Sequence, residues 1–168
     1  MPAEFDIAPA LWPRDIEQAR ALLVHYGDFL AASPVGSAGV SLIDYEAELQ
    51  ALPEKYARED ADLLLARLHG EFAGCVAISR RMLEDGKLAA EMKRLWVEPA
   101  FRGQRLGFQL IKAAIRWAQT HGCAAVVLDT IHDAMPEAVA LYQSLGFHET
   151  HRFNDNPIPG VRFYILNL

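Results

Sequence analysis

The sequence predicts a single α/β domain built on a mixed, mostly antiparallel sheet of about seven strands with about four helices. Three observations carry this expectation. Short apolar-alternating runs recur along the chain. Stretches with apolar residues at three- and four-residue spacing interrupt them. Between Glu91 and His121 an alternating strand passes through a Gly-containing loop into a long amphipathic helix. A length of 168 residues at 52% hydrophobic composition suits one domain with a substantial core.

Taken in order, residues 3–8 alternate well enough for a first strand. Pro13 and Asp15 open a helix whose stripe is Ile16, Ala19, Leu22, Leu23, Tyr26 and Leu30. Ala32–Val40 is small, Pro/Gly/Ser-rich and aperiodic, which predicts a loop. Asp44 can cap a short helix over Tyr45–Leu52, with Pro53 as its stop and residues 54–60 as a solvated connection. Strands follow at Asp62–His69 and Phe72–Arg80, joined by a tight turn at Gly70-Glu71, and a third at Leu88–Val97 after Glu84-Asp85-Gly86. The next helix buries Leu106, Leu110, Ile111, Ala114, Ile115 and Ala118 and ends at Gly122, a left-handed cap. Ala125–Thr130 is a continuous apolar run, as in a strand covered on both faces. Asp133 can cap a helix with Pro136 in its first turn and Gly146 at its end. Phe147–Phe153 and Val161–Leu166 close the sheet around the turn-rich Asn154–Gly160. Neither an internal repeat nor a domain linker interrupts this order.

Composition narrows the function classes. Sixteen Lys and Arg against 22 Asp and Glu leave a formal charge of −6, which argues against a dedicated nucleic-acid binder. No apolar run is long enough to span a bilayer, and the acidic N-terminus lacks a signal-peptide pattern. Cys75 and Cys123 lie in apolar surroundings without metal-ligand spacing, so a reducing, cytoplasmic setting is expected. His148 and His151 fall on opposite sides of a strand, which disfavours a metal pair, and no metal is expected.

The central loop, Arg102-Gly103-Gln104-Arg105-Leu106-Gly107, sits where a strand runs into a helix N-terminus, a natural anion cradle. It is neither a Walker loop, since Phe108 follows Gly107, nor a dinucleotide fingerprint, since three residues separate Gly103 from Gly107. Its glycines admit close backbone approach, its arginines offset phosphate charge, and Pro99 ends the preceding ladder.

The segment Val97-Glu98-Pro99-Ala100-Phe101 followed by this loop resembles the acetyl-CoA-binding motif of the GCN5-related N-acetyltransferase (GNAT) superfamily. Ala138-Val139-Ala140-Leu141-Tyr142-Gln143-Ser144-Leu145-Gly146-Phe147 is similar to its second conserved block, and the element order agrees over most of the chain. Arg105 departs from the pattern, which most often has Gly there, and a positive φ at Arg105 would be strained. The resemblance implies a sheet splayed at a bulge in its central strand, with Leu95, Trp96 and Val97 pairing with the pantetheine arm of acetyl-CoA. It also implies that the amides of Arg102, Gly103, Gln104, Arg105, Leu106 and Gly107 hold the pyrophosphate, with Phe108 opening the helix.

By the same resemblance, acetyl passes directly from the thioester to a primary amine, expected to be a small molecule. A peptide or protein acetyltransferase, or a non-catalytic acyl-CoA sensor, is the alternative. Tyr142 matches the family's general acid, the other reading being a Tyr packed on the sheet. Glu91 resembles the general base of some members. It lies six residues before Val97, which predicts a shared face, and it can equally pair with Lys93. His132, near Asp129, is the second choice for base, and a water relay a third. The amine-binding wall is expected from Tyr26, Phe29, Tyr45, Phe153, Asn154 and Asp155, with Asp155 either meeting a cationic amine or making an Asx turn. A homodimer through Phe163–Leu166 is the family-level expectation for assembly.

Overall fold

In the computed structural model, which describes residues 3–33, 42–131 and 135–168, the elements run β1 (Asp6–Pro9), α1 (Ile16–Ala31), α2 (Leu42–Gln50), α3 (Leu52–Tyr56), β2 (Ala61–Leu68), β3 (Glu71–Met82) and β4 (Leu88–Val97). A single 3-10 turn (Pro99–Phe101), α4 (Leu106–Thr120), β5 (Ala125–Ile131), α5 (Pro136–Ser144), β6 (His148–Thr150) and β7 (Val161–Asn167) follow. One seven-stranded sheet, ordered β1-β2-β3-β4-β5-β7-β6, carries them. Every neighbouring pair is antiparallel except β4–β5. That one parallel pair is the crossover in which α4 connects β4 to β5 across a face of the sheet. The mixed, mostly antiparallel α/β fold is therefore as the sequence predicts.

Both faces are covered. On one, α4 and α5 pack Leu106, Leu110, Ile111, Val139 and Tyr142 against Val76, Ile78, Met92 and Val126. On the other, α1, α2 and α3 pack Leu22, Leu23, Tyr45, Leu52 and Tyr56 against Leu63, Leu65, Cys75 and Trp96. Gly74 on β3 permits the closest approach at the centre. A Cβ there would lie 2.5 Å from the Trp96 carbonyl and 3.3 Å from Leu106 and Leu110 of α4.

The two helix ends expected at glycines close as Schellman motifs. Gly122 (φ 72) is followed by Cys123, whose N–H reaches the Ala118 carbonyl at 2.9 Å; Gly146 (φ 96) is followed by Phe147, bonded to the Tyr142 carbonyl at 3.1 Å.

Several expectations need correction. Pro53 does not close a helix before a solvated connection; it sits in the first turn of α3, where its missing N–H is harmless, and α3 buries Leu52 and Tyr56. The described residues accordingly form five α-helices. The hairpin turn is His69-Gly70, both at positive φ as a two-residue turn requires, and not Gly70-Glu71. Asp15 precedes α1 without capping it. Its carboxylate instead accepts from the Leu11 N–H at 2.8 Å and from Arg67 at 2.7 Å.

β6 covers only His148–Thr150, because the chain then turns onto the sheet face, where Arg152 donates to the Asn156 carbonyl and the Phe153 carbonyl accepts from Arg81. Phe163–Ile165 pair with β5 on one side and β6 on the other, so β7 offers no free edge there for a dimer. Asp133, the expected cap of α5, and most of the expected Ala32–Val40 loop lie outside the described residues.

Candidate active site

The site begins with a register shift. Cys75 pairs with Trp96 while Ala77 pairs with Lys93, so β4 spends one residue more than β3 between them. This is a β-bulge, and Arg94 in it adopts φ 58. On the other side of β4, pairing with β5 is confined to Ala89–Glu91 against Ala125–Val127. Beyond Glu91 the two parallel strands diverge, leaving the β5-facing backbone of Met92–Val97 without a strand partner. The splay implied by the family resemblance is present.

A cleft of about 620 Å³ lies at this divergence. β4 contributes Met92, Lys93, Arg94 and Leu95, and β5 contributes Leu128, Asp129, Thr130 and Ile131. Tyr26 of α1, Tyr45 and Glu48 of α2, Tyr142 of α5 and Asn154–Ile158 of the β6–β7 loop complete the wall.

The bulge also decides which side chains meet. Ala90 and Met92 face α4, yet so do Leu95 and Val97, while Trp96 faces α1. The extra residue inverts the alternation, so Glu91 and Val97 do not share a face as their spacing alone predicts. Glu91 is buried and lies outside the cleft lining. Arg81 contacts its Oε2 at 2.9 Å and Lys93 its Oε1 at 3.0 Å. Arg81 also donates to the Phe153 carbonyl at 2.7 Å and stacks on the Phe153 ring, so Glu91 holds the entry to the β6–β7 loop.

After β4, Gly103 (φ 77) and Arg105 (φ 62) turn the chain into α4. Arg105 takes the left-handed conformation that its type disfavours, and it immediately precedes α4, which opens at Leu106 and not at Phe108. The first hydrogen bond closing α4 runs from the Gln109 N–H to the Arg105 carbonyl, so the N–H groups of Leu106, Gly107 and Phe108 have no acceptor within the helix. The Arg102 N–H is already used by the Pro99 carbonyl, which removes it from the expected amide cradle. Its side chain is fixed instead: Nε donates to the Val97 carbonyl, and the guanidinium lies over Trp96 and Phe29, 5.0 and 5.8 Å from the ring centroids.

Tyr142 is 6% exposed, yet it lines the cleft. Burial pushes its phenol above the usual tyrosine range, and Tyr26 and Asp129 add to this, so it is protonated at neutral pH. Of the expected amine wall, Tyr26, Tyr45, Asn154 and Asp155 line the cleft. Phe29 and Phe153 do not; they pack on Trp96 and Phe163. His132 lies outside the described residues.

Sequence reasoning missed the cleft's floor. Arg94 contacts Glu48 at 2.8 Å and lies over the Tyr45 ring at 5.0 Å, while Glu48 also accepts from Tyr56 and pairs with Lys55 at 3.3 Å. Nothing in the sequence marks Arg94 as a bulge. Glu48 does leave a signal, because it sits within the apolar stripe of Tyr45, Leu49 and Leu52.

Against known proteins, the chain matches the acetyltransferase (GNAT) family over residues 18–147. It belongs to that family. An uncharacterised N-acetyltransferase of Schizosaccharomyces pombe is 33% identical, covering 99% of this chain and 97% of its own length. An IAA acetyltransferase of Azospirillum brasilense is 31% identical over 72% of this chain and 84% of its own. Among solved GNAT-type structures, an acetyltransferase from Streptococcus agalactiae aligns with a TM-score of 0.75 at 20% identity, covering 98% of each chain. Spermidine N-acetyltransferase from Vibrio cholerae, in complex with CoA and spermine, aligns at 0.70 and 17% identity over 97% of this chain and 95% of that one. This GNAT protein is an acyltransferase of the N-acetyltransferase type.

The Glu48 cluster makes a stability prediction for this GNAT domain. Burial alone would raise the Glu48 pKa, but Arg94, Tyr56 and Lys55 outweigh it and hold the carboxyl below its usual value. Such a group contributes stability in full above its unfolded pKa of about 4.3, and the contribution is lost as pH falls through the lower folded value. Glu48→Gln is expected to destabilise the protein at pH 7 and to lose less further stability than wild type between about pH 5 and 3, as read by urea melts across that range. Equal pH slopes in the two proteins would count against the cluster.

Proposed function

We propose that this protein transfers an acetyl group from acetyl-CoA directly to a primary amine of a small molecule. The observation that carries this reading is the divergence of β4 from β5 after Glu91, which leaves an unpaired strand edge running to an α4 N-terminus with unsatisfied N–H groups. An extended pantetheine arm carries amides that can pair with such an edge, and a pyrophosphate suits the helix start. The CoA in the Vibrio cholerae enzyme of the same fold supports this choice of donor.

On this reading Leu95, Trp96 and Val97 present backbone to the arm, although the Trp96 and Val97 side chains are committed to packing. The amides of Gly103, Gln104, Arg105, Leu106, Gly107 and Phe108 face the pyrophosphate, with the Arg102 guanidinium held beside them on its aromatic bed. When bound, the thioester supplies an activated acetyl group and its sulfur departs as a thiolate.

Tyr142 answers the thiolate. Its phenol stays protonated and reaches the cleft. Proton transfer to the departing thiolate leaves a thiol and a phenolate, uphill because the buried phenol's pKa lies above a thiol's. The phenolate regains its proton from the positively charged nitrogen that the attacking amine leaves in the tetrahedral intermediate. Glu91, by contrast, is committed to Arg81 and Lys93, and its geometry supports a bracing role in place of the base expected from its position. A cleft of about 620 Å³ has room for a small acceptor, whereas a peptide would need an extended groove.

The direct test is thiol release from acetyl-CoA with a panel of amines; no release with any amine would overturn the proposal. Acetyl-CoA is expected to raise the melting temperature, and Gly103→Asp, which places a carboxylate on a positive-φ turn beside the anion site, to abolish the shift. Tyr142→Phe should lower kcat by roughly 10²-fold, with a smaller effect on the acetyl-CoA-induced shift. Glu91→Gln should leave the acidic limb of the kcat–pH profile, where a general base titrates, in place. A profile that loses this limb would return the base role to Glu91.

A further inference from the structure

We infer that the acceptor enters this cleft as a cation bearing no carboxylate or phosphate, and that Asp129 is the residue that receives its ammonium group. The inference rests on the N-acetyltransferase reading and names the substrate class for that same site.

It follows from how charge is distributed in the cleft. Four carboxylates line it, on Asp44, Glu48, Asp129 and Asp155, against the cations Lys55, Lys93 and Arg94. Each of these cations already contacts a carboxylate. Arg94 and Lys55 contact Glu48, and Lys93 contacts the buried Glu91 behind the wall. Neither Asp129 nor Asp155 forms an ion pair with any described residue. Every lining cation therefore already contacts a carboxylate, with Glu48 and Glu91 each shared by two cations, while Asp129 and Asp155 contact none.

Asp129 is also positioned for the task. The Oδ1 of Asn154 accepts from the Asn156 N–H at 3.0 Å, and the Oδ1 of Asn156 accepts from the Ile158 N–H at 3.1 Å. These tandem Asx turns orient both side-chain amides, so that both Nδ2 groups donate to the same oxygen of Asp129, Oδ2, at 2.7 and 3.1 Å. The clamp is neutral, so it orients the carboxylate without cancelling its charge. It also leaves Oδ1 without a hydrogen bond to any described residue. Asp129 contributes to the raised pKa of both Tyr142 and Tyr26, which puts its charge within reach of the proposed acid. A charge-assisted N–H···O contact to Oδ1 would complete the site, with Met92, Leu128 and Ile131 beside an aliphatic stem. An anionic acceptor would meet like charge from Asp129 and Asp155.

The test compares three acceptors of matched length and similar amine basicity: pentylamine, 1,5-diaminopentane and 5-aminopentanoate. Wild-type kcat/KM is expected to be at least about tenfold higher for the first two than for the third, a like-charge penalty of the usual size. Asp129→Asn should lower kcat/KM for pentylamine by about 10²-fold, mainly through KM, and narrow the ratio to 5-aminopentanoate. It should leave the acetyl-CoA thermal shift intact. Asn154→Ala/Asn156→Ala, which releases the clamp, should move both quantities in the same direction by less. Equal or better use of 5-aminopentanoate by wild type would overturn the inference while leaving the N-acetyltransferase reading intact, as would an Asp129→Asn protein with unchanged selectivity. Absence of thiol release with every amine would overturn both.

Discussion

One extra residue in β4 governs the functional half of this molecule. The bulge at Arg94 turns the strand's later side chains over, points Leu95 and Val97 toward α4 and sets Trp96 against α1. A left-handed Arg is unfavourable by itself, of order 1 kcal/mol or more. It persists because its guanidinium is over-determined, paired with the buried Glu48 and stacked on Tyr45 and Tyr26. Glu48 in turn draws on Tyr56 of α3, and Tyr45 donates to the Leu23 carbonyl of α1. The bulge is thus held from outside the sheet by all three N-terminal helices.

The two ends of the cleft are built on different principles. At the α4 end, backbone does the work: a positive-φ turn, unpaired amides and a strand edge, with Arg102 immobilised on aromatic rings. Such a surface suits a ligand that is the same in every member of a family. At the β5 end the groups are side chains carried by a loop, with Asp129 clamped by Asn154 and Asn156 and the loop's entry fastened by Arg81 and Glu91. Side chains on a loop can be exchanged without disturbing the sheet, which is where acceptor choice is expected to reside.

What could be read from the sequence divides along the same line. Periodicity located every strand, and Gly122 and Gly146 marked the ends of α4 and α5, because those signals are local. The Arg102–Gly107 loop and the Tyr142 block were legible through their resemblance to a family that the chain matches over residues 18–147. The expected shared face of Glu91 and Val97 failed for a physical reason: facing depends on strand parity, and the parity changes at a bulge whose Arg94 is paired with Glu48, more than forty positions away. Pro53 was read as a stop when it was a start, since proline serves either purpose and only the burial of Leu52 and Tyr56 decides. In the Asn154–Gly160 loop the turn chemistry was visible, but it belongs to Asn154 and Asn156, which frees Asp155 from the Asx role.

The outer rims of the sheet have a consequence for how the protein behaves among other proteins. β1 offers four residues, the last a proline, and β6 offers three. Neither rim is long enough to template a stranger's strand, while the facing edges of β4 and β5 beyond Glu91 and Val127, unpaired with each other, lie at the cleft. Hydrogen-bonding capacity that would be an aggregation hazard on an outer rim is placed instead between two strands of the same sheet, at the cleft.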